Sequence, residues 1–293
     1  MAAALELGPT LDYVIVDVFT DTAFRGNQLA VVLGADGLAT EQLQALAAEF
    51  HLSETAFPMA PARTGADYRL RIFTTDVELP FAGHPSVGSA WVLHALGLLA
   101  AGERVQECGA GLLPVVVGAE EVTITGGAPL LGDQVDPGPL LAAVGLAAAD
   151  LQGPPAGVAG CGISFGFLGV RRDAVDRAVP DRQALLRLGF EAGLCVLGWD
   201  AATSSAYSRV FAAGVGVTED AATGSAALGL GVWLGGAGAL PDGRVGYDVH
   251  QGHAMGRPSL LHCAVDVLDG RVVRAQVGGR VVAVARGSIA CPR

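Results

Sequence analysis

The chain has 293 residues, of which 51% are hydrophobic, and a formal net charge of −11 at pH 7. Its length and apolar content suffice for one large or two ordinary domains, while the acidic balance excludes the basic surface that nucleic-acid binding requires. All 18 basic residues are arginine, which excludes lysine Schiff-base chemistry and with it pyridoxal phosphate and class I aldolase activity.

Strand and helix patterns alternate along the first half of the chain. Residues 40–50 predict an amphipathic helix with Thr40 as its N-cap, because Leu43, Leu46 and Phe50 fall on one face. The strand candidates come from β-branched runs and from alternating polarity, and they are residues 13–19, 29–33, 51–57, 68–74, 113–117 and 122–125.

Two apolar stretches, each preceded by a polar turn, organise the rest of the chain: residues 81–99 and residues 219–234. Both predict a helix that is buried on every face, with Gly83 and Gly224 near the two helix starts. Unpaired backbone N–H groups and the positive end of the helix dipole make such a start a binding place for a carboxylate. The repeated pattern therefore predicts a duplicated domain with a carboxylate site between two facing helix N-termini.

Residues 126–139 are rich in glycine and proline, which predicts a boundary between the two halves. Mostly antiparallel strands with one buried helix in each half indicate an α+β fold. In the second half a helix is predicted near residues 181–188, and the strand candidates are residues 163–170, 194–197, 208–212, 245–249, 259–267, 271–277 and 280–286.

The five cysteines are scattered without a Cys-x-x-Cys pair, which indicates reduced structural thiols in a cytosolic protein. The N-terminus has neither a basic segment nor an apolar run long enough for secretion. Residues 221–241 carry no charge but contain five glycines between Leu228 and Ala239, which argues against a membrane-spanning helix. We therefore expect a cytoplasmic protein that does not enter a membrane.

Glu54 is the carboxylate most indicative of catalysis. It lies between Leu52 and Phe57 in an apolar, strand-like segment, where an ionised side chain would be poorly solvated. Burial raises the pKa of a carboxyl group towards neutrality, which a general acid/base requires. The alternative is an exposed strand glutamate or one paired with an arginine.

Other polar residues lie at the two helix-opening turns, and each has a structural alternative. His84 could contact a ligand or serve in packing, and Asp220 and Ser225 could contact a ligand or cap the second helix. Neither turn contains a cysteine, which excludes thiol catalysis there. His250-x-x-His253 lacks a helical context and a carboxylate third ligand, even with His262 nearby, so we expect no metal. Nucleotide-binding glycine motifs are absent.

Several sequence blocks, in order along nearly the whole chain, resemble the PhzF-like isomerases of phenazine biosynthesis. They are Asp17-Val-Phe-Thr-Asp-Thr-Ala-Phe-Arg-Gly-Asn27, Leu52-Ser-Glu-Thr-Ala-Phe57, Glu78-Leu-Pro-Phe-Ala-Gly-His84, Glu219-Asp-Ala-Ala-Thr-Gly-Ser-Ala226 and Gln251-Gly-His-Ala-Met-Gly-Arg-Pro-Ser259.

The resemblance implies a diaminopimelate-epimerase-like fold of two pseudo-symmetric halves, each a mostly antiparallel β-barrel around a central helix, with the active site between them. We expect a first domain at 1–127, joined by a returning C-terminal strand at about 280–293, and a second at 128–279. The resemblance also implies a cofactor-free homodimer. It assigns the general acid/base to Glu54 and ligand contacts to His84, Asp220 and Ser225.

This sequence departs from the family pattern at Ala82, Pro85, Ser86 and His250, and Gln28 replaces the proline that usually follows Asn27. These departures lie at the pocket wall and change the expected substrate more than the expected acid/base chemistry. The sequence thus predicts an isomerase of secondary metabolism that moves a proton between carbons of a small cyclic amino or hydroxy acid, whose carboxylate the helix starts at Gly83 and Gly224 hold. An epimerase, or a non-catalytic binding protein of the same family, is the alternative.

Overall fold

The computed structural model describes residues 8–292, apart from the side chain of Val215, and confirms an α+β fold. The helices are α1 (Thr40–Phe50), α2 (Gly83–Ala95), α3 (Pro137–Ala143), α4 (Arg172–Arg177), α5 (Arg182–Leu188) and α6 (Gly224–Gly236). The strands of the first half are β1 (Thr10–Val18), β2 (Asn27–Val32), β3 (Glu54–Met59), β4 (Tyr68–Phe73), β5 (Glu78–Leu79), β6 (Gly102–Cys108), β7 (Gly111–Val117) and β8 (Glu121–Thr125). Those that follow are β9 (Pro129–Gln134), β10 (Gly157–Cys161), β11 (Ser164–Gly169), β12 (Leu194–Asp200), β13 (Ser205–Ala212), β14 (Val217–Asp220), β15 (Gly243–Gln251), β16 (Ser259–Leu268) and β17 (Arg271–Ala290).

The strands of the first half close into a barrel. Strand β1 pairs with β2, which runs parallel to β3, and β3 pairs with β4, which runs parallel to β6. Strands β6, β7 and β8 continue the sheet in antiparallel pairs, and β17 pairs with both β8 and β1. Helix α2 packs against β1, β2, β3, β7, β8 and β17, and therefore lies inside the barrel.

The second half repeats this pairing pattern step by step. Strand β10 pairs with β11, which runs parallel to β12, and β12 pairs with β13, which runs parallel to β15. Strands β15, β16 and β17 then follow in antiparallel pairs, while β9 flanks β10 as β17 flanks β1. Helix α6 occupies the place of α2 and is surrounded by the strands against which it packs, β9, β10, β11, β16 and β17. The two halves are therefore pseudo-symmetric copies of one unit.

Two crossings connect the halves, and each contains a glycine pair. Gly126-Gly127 lies between β8 and β9, and Gly278-Gly279 lies in the middle of β17. The glycine- and proline-rich segment 126–139 is thus only partly a linker, since it also forms β9 and the start of α3. Residues 281–290 of β17 pair with β1, and residues 271–278 pair with β16. The first part of β17 therefore belongs to the sheet of the second half and its last part to that of the first half, while the exact domain boundaries stay a prediction.

The helix ends differ slightly from the sequence prediction. Helix α1 begins at Thr40, so the N-cap position predicted for Thr40 is occupied by Ala39. The Ala39 N–H donates a hydrogen bond to Gln42 Oε1. Helix α2 ends at Ala95 rather than near Leu99. In the described residues, no helix combines the length and the apolar character needed to cross a membrane.

Candidate active site

Glu54 and His84 face each other in the interior of the first half. Glu54 begins β3, and the parallel pairing of β3 with Leu29 of β2 places it beside the N-terminus of α2. Its Oε2 lies 3.4 Å from His84 Nε2, and the two side chains are only 13% and 3% exposed. Neither atom has a hydrogen-bond partner among the described residues. Two buried polar atoms without partners favour a polar ligand beside them.

Asp220 belongs to the second half but reaches the same cluster. It ends β14, four residues before α6, and its Oδ1 accepts a hydrogen bond from Asn27 Nδ2 at 2.8 Å. Its Oδ2 accepts another from the Thr223 hydroxyl at 2.7 Å. The structure therefore brings together Glu54, His84 and Asp220, which the sequence singled out, across the boundary between the halves.

Burial changes the protonation of all three groups. Loss of solvation raises the pKa of Glu54 to about 7, and the Ser53 hydroxyl opposes this in part. Loss of solvation, with the nearby Glu54 charge second, raises the pKa of Asp220 to about 6. Burial lowers the pKa of His84 to about 4, so the imidazole is neutral at pH 7. A carboxyl group with a pKa near 7 can both accept and return a proton at neutral pH.

Two amide side chains complete the cluster, and the sequence analysis did not select them. Asn27 Nδ2 also donates to the Ala222 carbonyl at 2.9 Å and lies 3.2 Å from His84 Nδ1. Gln251 Nε2 donates to the Asp220 carbonyl at 2.8 Å, and its Oε1 accepts from the Thr223 N–H at 3.2 Å. Both residues are within the blocks that carry the family resemblance, which was the one available signal for them.

The N-termini of α2 and α6 meet directly at two glycines. A Cβ atom on Gly83 would lie 2.8 Å from the Gly224 Cα, and one on Gly224 would lie 3.1 Å from the Gly83 Cα. This contact leaves no room for a carboxylate between the two Cα atoms, so the backbone N–H groups of the helix starts can serve a ligand only from the side. The prediction of a site directly between the helices is corrected accordingly.

The caps expected on the second helix are absent. Helix α6 has Thr223 at its N-cap position without a capping side-chain bond. Asp220 uses its carboxylate for Asn27 and the Thr223 hydroxyl, and Ser225 is buried at 8% exposure in the first turn. Capping therefore explains neither Asp220 nor Ser225 in the described structure, and their role as ligand contacts stays a prediction.

We expect Gly83→Ala to lower both stability and activity strongly. The new methyl group would meet backbone atoms of Gly224 and Ser225, which cannot move as a flexible side chain can. Overpacking of this kind costs about 1–3 kcal/mol in the free energy of unfolding, which denaturant titration measures. Gly37→Ala is the matched control, because a Cβ at Gly37 meets nothing within 4 Å. Equal stability of the two variants would contradict the direct helix contact.

The three histidines considered as metal ligands do not form a cluster. The rings of His250 and His253 are 6.5 Å apart, whereas His262 interacts with Asp248 and Glu121. Within residues 8–292, no three His, Cys, Asp or Glu side chains are arranged to hold a metal ion. The three histidines instead line a cavity of about 400 Å³ between segments of the two halves.

The arrangement of two barrels, each around a central helix, is a fold that also occurs in solved structures with little sequence identity to this chain. A solved hydroxyproline epimerase from Agrobacterium vitis has the same fold, with a TM-score of 0.69 over 96% of this chain and 92% of that one at 13% identity.

The family itself follows from sequence. The family model "Phenazine biosynthesis-like protein" (PhzC-PhzF) matches residues 16–287, and the chain belongs to this family. It is 34% identical over 287 residues to the trans-2,3-dihydro-3-hydroxyanthranilate isomerase of Pseudomonas fluorescens. The alignment covers 95% of this chain and 99% of that protein. A PhzF-family structure from Bacillus anthracis aligns with a TM-score of 0.86 and 25% identity over 96% of this chain and 99% of that one.

Proposed function

We propose that this enzyme of the PhzF family is an isomerase that moves a proton between two carbons of a small cyclic carboxylic acid, with Glu54 as the acid/base. The observation that carries the proposal is the buried Glu54 carboxyl, whose Oε2 has no hydrogen-bond partner in the described residues and faces an equally unpartnered His84 Nε2. Its pKa of about 7 lets it take up and release a proton without an external base.

In the proposed mechanism the ionised Glu54 removes a proton from one carbon, and the double bond of the substrate shifts. The protonated, now neutral Glu54 then delivers the proton to a second carbon, so that one C–H bond breaks and another forms. His84 and Asp220 orient polar substituents of the substrate, and the N–H groups at the start of α2 and α6 stabilise its carboxylate from the side. No cofactor is needed for this sequence of steps.

The epimerase alternative requires two bases on opposite faces of one carbon. In diaminopimelate epimerase, which gives the fold its name, these bases are a pair of cysteines. Here the residues next to the two helix glycines are Ala82, His84, Thr223 and Ser225. A non-catalytic binding protein is also less consistent with the site, because a buried, unpartnered carboxyl group costs stability and gives such a protein no advantage.

The proposal is tested by incubating the purified protein with trans-2,3-dihydro-3-hydroxyanthranilate and with related small cyclic acids in deuterated buffer. We expect isomerisation or deuterium incorporation at carbon for at least one acid, at a rate that EDTA does not change. Binding of these acids without any exchange at carbon would favour the non-catalytic alternative. Loss of activity on chelation, with recovery on metal addition, would contradict the cofactor-free mechanism.

A further inference from the structure

We propose that Thr223 and Gln251 are positioning residues that keep the Asp220 carboxylate ionised and oriented, through a relay of hydrogen bonds from Gln251 to Thr223 and from Thr223 to Asp220. With Asp220 held in this state, Glu54 is the carboxyl group of the cluster that takes up and releases the proton. The inference rests on the proposed function, because it assigns Asp220 to the reaction. Its structural part can be measured without substrate.

The relay lies at the turn between β14 and α6. Asp220 ends β14, Thr223 directly precedes α6, and Gln251 ends β15. Thr223 is 9% exposed and Gln251 only 1%. The Thr223 hydroxyl donates to Asp220 Oδ2 at 2.7 Å, and Gln251 Nε2 donates to Thr223 Oγ1 at 3.0 Å. The three side chains therefore form one continuous series of hydrogen bonds that ends on the carboxylate.

Three hydrogen bonds fix the orientation of the Gln251 amide. Besides the Thr223 hydroxyl, its Nε2 donates to the Asp220 carbonyl at 2.8 Å, and its Oε1 accepts from the Thr223 N–H at 3.2 Å. These bonds use both hydrogens of the amide and its oxygen. Rotation of the amide by 180° would place two oxygen atoms against each other at Asp220 and two N–H groups against each other at Thr223. The backbone of the turn therefore determines the orientation.

The direction of the bond from Thr223 follows from that orientation. Because Gln251 Nε2 offers only hydrogens, the Thr223 oxygen accepts on that side, and the single hydrogen of the hydroxyl is left for Asp220 Oδ2. Asn27 Nδ2 donates to the other carboxylate oxygen, Oδ1, at 2.8 Å. Both oxygens of Asp220 are thus acceptors, as in an ionised carboxylate, and a proton on Oδ2 would compete with the bond from Thr223.

The hydroxyl of Thr223 does not serve the helix that it precedes. A threonine at an N-cap position usually accepts a hydrogen bond from a backbone N–H of the first helical turn. Thr223 occupies the N-cap position of α6, but in the described structure its side chain makes no such bond and donates to Asp220 instead. The helix therefore forgoes a stabilising cap in favour of a hydrogen bond to the carboxylate.

The charged groups around Asp220 have opposing effects on its protonation. Loss of solvation and the Glu54 charge raise the pKa of Asp220, whereas a positive charge on His84 and the hydrogen bonds to the carboxylate lower it. The adjacent Glu219 pairs with Arg209 at 2.7 Å. The resulting pKa of about 6 lies below the value of about 7 for Glu54. As pH falls, Glu54 therefore binds a proton before Asp220 does.

The experiment is a ¹³C NMR titration of the carboxyl carbons in the full-length protein labelled at aspartate, with Asp220→Asn used to assign the signal. We expect an apparent pKa of about 6 for Asp220 in the wild type. Thr223→Val keeps the shape of threonine without its hydroxyl and should raise this pKa by about one unit. Thr223→Ser retains the hydroxyl and should keep the wild-type value. Thr223→Ala replaces Thr223→Val if the valine variant does not fold.

Gln251→Met tests the first bond of the relay. It should raise the pKa of Asp220 less than Thr223→Val does, since the Thr223 hydroxyl can still reach the carboxylate. In a protein that already carries Thr223→Val it should have no further effect on this pKa. Ser259→Ala is the matched control, because this buried hydroxyl donates to the Ala221 carbonyl of the same turn but not to the carboxylate. Its removal should leave the pKa of Asp220 unchanged.

The isomerisation assay provides a second readout. The active form has both Glu54 and Asp220 ionised, so a higher pKa of Asp220 lowers the active fraction, and does so more at low pH. The kcat/KM of Thr223→Val relative to the wild type should therefore be about fivefold lower at pH 6 than at pH 8, as an increase of about one unit in the pKa of Asp220 implies. Thr223→Ser should follow the wild type at both pH values.

An unchanged pKa of Asp220 in the valine or alanine variant of Thr223 would overturn the proposal. An equal rise in Ser259→Ala would also overturn it, because the effect would then be a general loosening of the turn. A further rise when Gln251→Met is added to Thr223→Val would show that Gln251 does not act through the hydroxyl, which contradicts the relay. Failure of the proposed function would appear separately, as an inactive wild type in which Thr223→Val still raises the pKa of Asp220.

Discussion

Replacing Arg257 by methionine should lower the free energy of unfolding by about 3–5 kcal/mol, the usual cost of leaving one member of a buried ion pair alone. Arg257 of the second half donates through Nη2 to the carboxylate of Asp17, which is only 1% exposed. Asp17 also accepts from the Phe24 N–H at 2.6 Å. The pair therefore joins the end of β1 to the segment that precedes β16, and the Phe24 N–H and the Gly26 carbonyl attach the loop that follows β1 to the same pair.

The effect of Arg257→Met should depend on pH with a definite sign. Burial already raises the pKa of Asp17, and Arg257 partly opposes this. Without Arg257 the pKa rises further, and a carboxyl group with a raised pKa in the folded state favours folding less as pH increases. The deficit should thus be larger at pH 8 than at pH 4.5 in denaturant titrations.

The matched control is the double variant Asp17→Asn with Arg257→Met, which removes both charges. It should recover part of the loss, because a neutral amide is less costly to bury than an unpaired carboxylate. A single variant within 1 kcal/mol of the wild type would contradict the role of this ion pair in joining the two halves.

The largest effect on catalysis is expected for Glu54→Gln. The amide keeps the size of the carboxyl group and can form hydrogen bonds, but it cannot accept and return a proton. Acid/base catalysis contributes about 10²–10⁴-fold, and here one group serves both steps, so kcat should fall by about 10³-fold or more while ligand binding is retained. Glu54→Asp withdraws the carboxylate by one methylene, for which we expect a loss of about 10²-fold.

Glu78→Gln is the control for these substitutions. Glu78 lies on the same barrel, is 39% exposed on its side chain and pairs with Arg71 at 2.7 Å, so its loss should change kcat less than twofold. Steady-state kinetics and calorimetric binding of the product acid measure the two quantities separately. A Glu54→Gln variant with more than a tenth of the wild-type kcat would refute the assignment of Glu54.

The parts of the site with a chemical signature could be predicted from sequence. An apolar segment around Glu54 indicates a poorly solvated carboxyl group, and a polar turn before a wholly apolar stretch indicates the N-terminus of a buried helix. The structure places Glu54, His84 and Asp220 in one cluster, as these signals suggested, although their chemical roles stay proposals. Asn27 and Gln251 carried no comparable signal, because neutral amides are common in turns and acquire their importance from partners distant in sequence.

One error of the strand prediction lies at a pair of glycines. Two strands were predicted on either side of Gly278-Gly279, at residues 271–277 and 280–286, but β17 continues through the pair from Arg271 to Ala290. A Cβ at Gly278 would clash with Thr123, and one at Gly279 would lie 2.7 Å from the Phe19 ring. Glycine is needed there for close approach of the two halves, not for a turn, and composition alone cannot separate these two reasons.

The pH dependence of kcat/KM for isomerisation tests the central claim most directly. Glu54 must be ionised to remove the first proton, so kcat/KM should fall about tenfold for each pH unit below the pKa of this group in the free enzyme. We predict a limb with an apparent pKa close to 7, the value to which burial raises Glu54. A profile that stays flat down to the ordinary glutamate value of 4.5 would contradict catalysis by this buried carboxyl group.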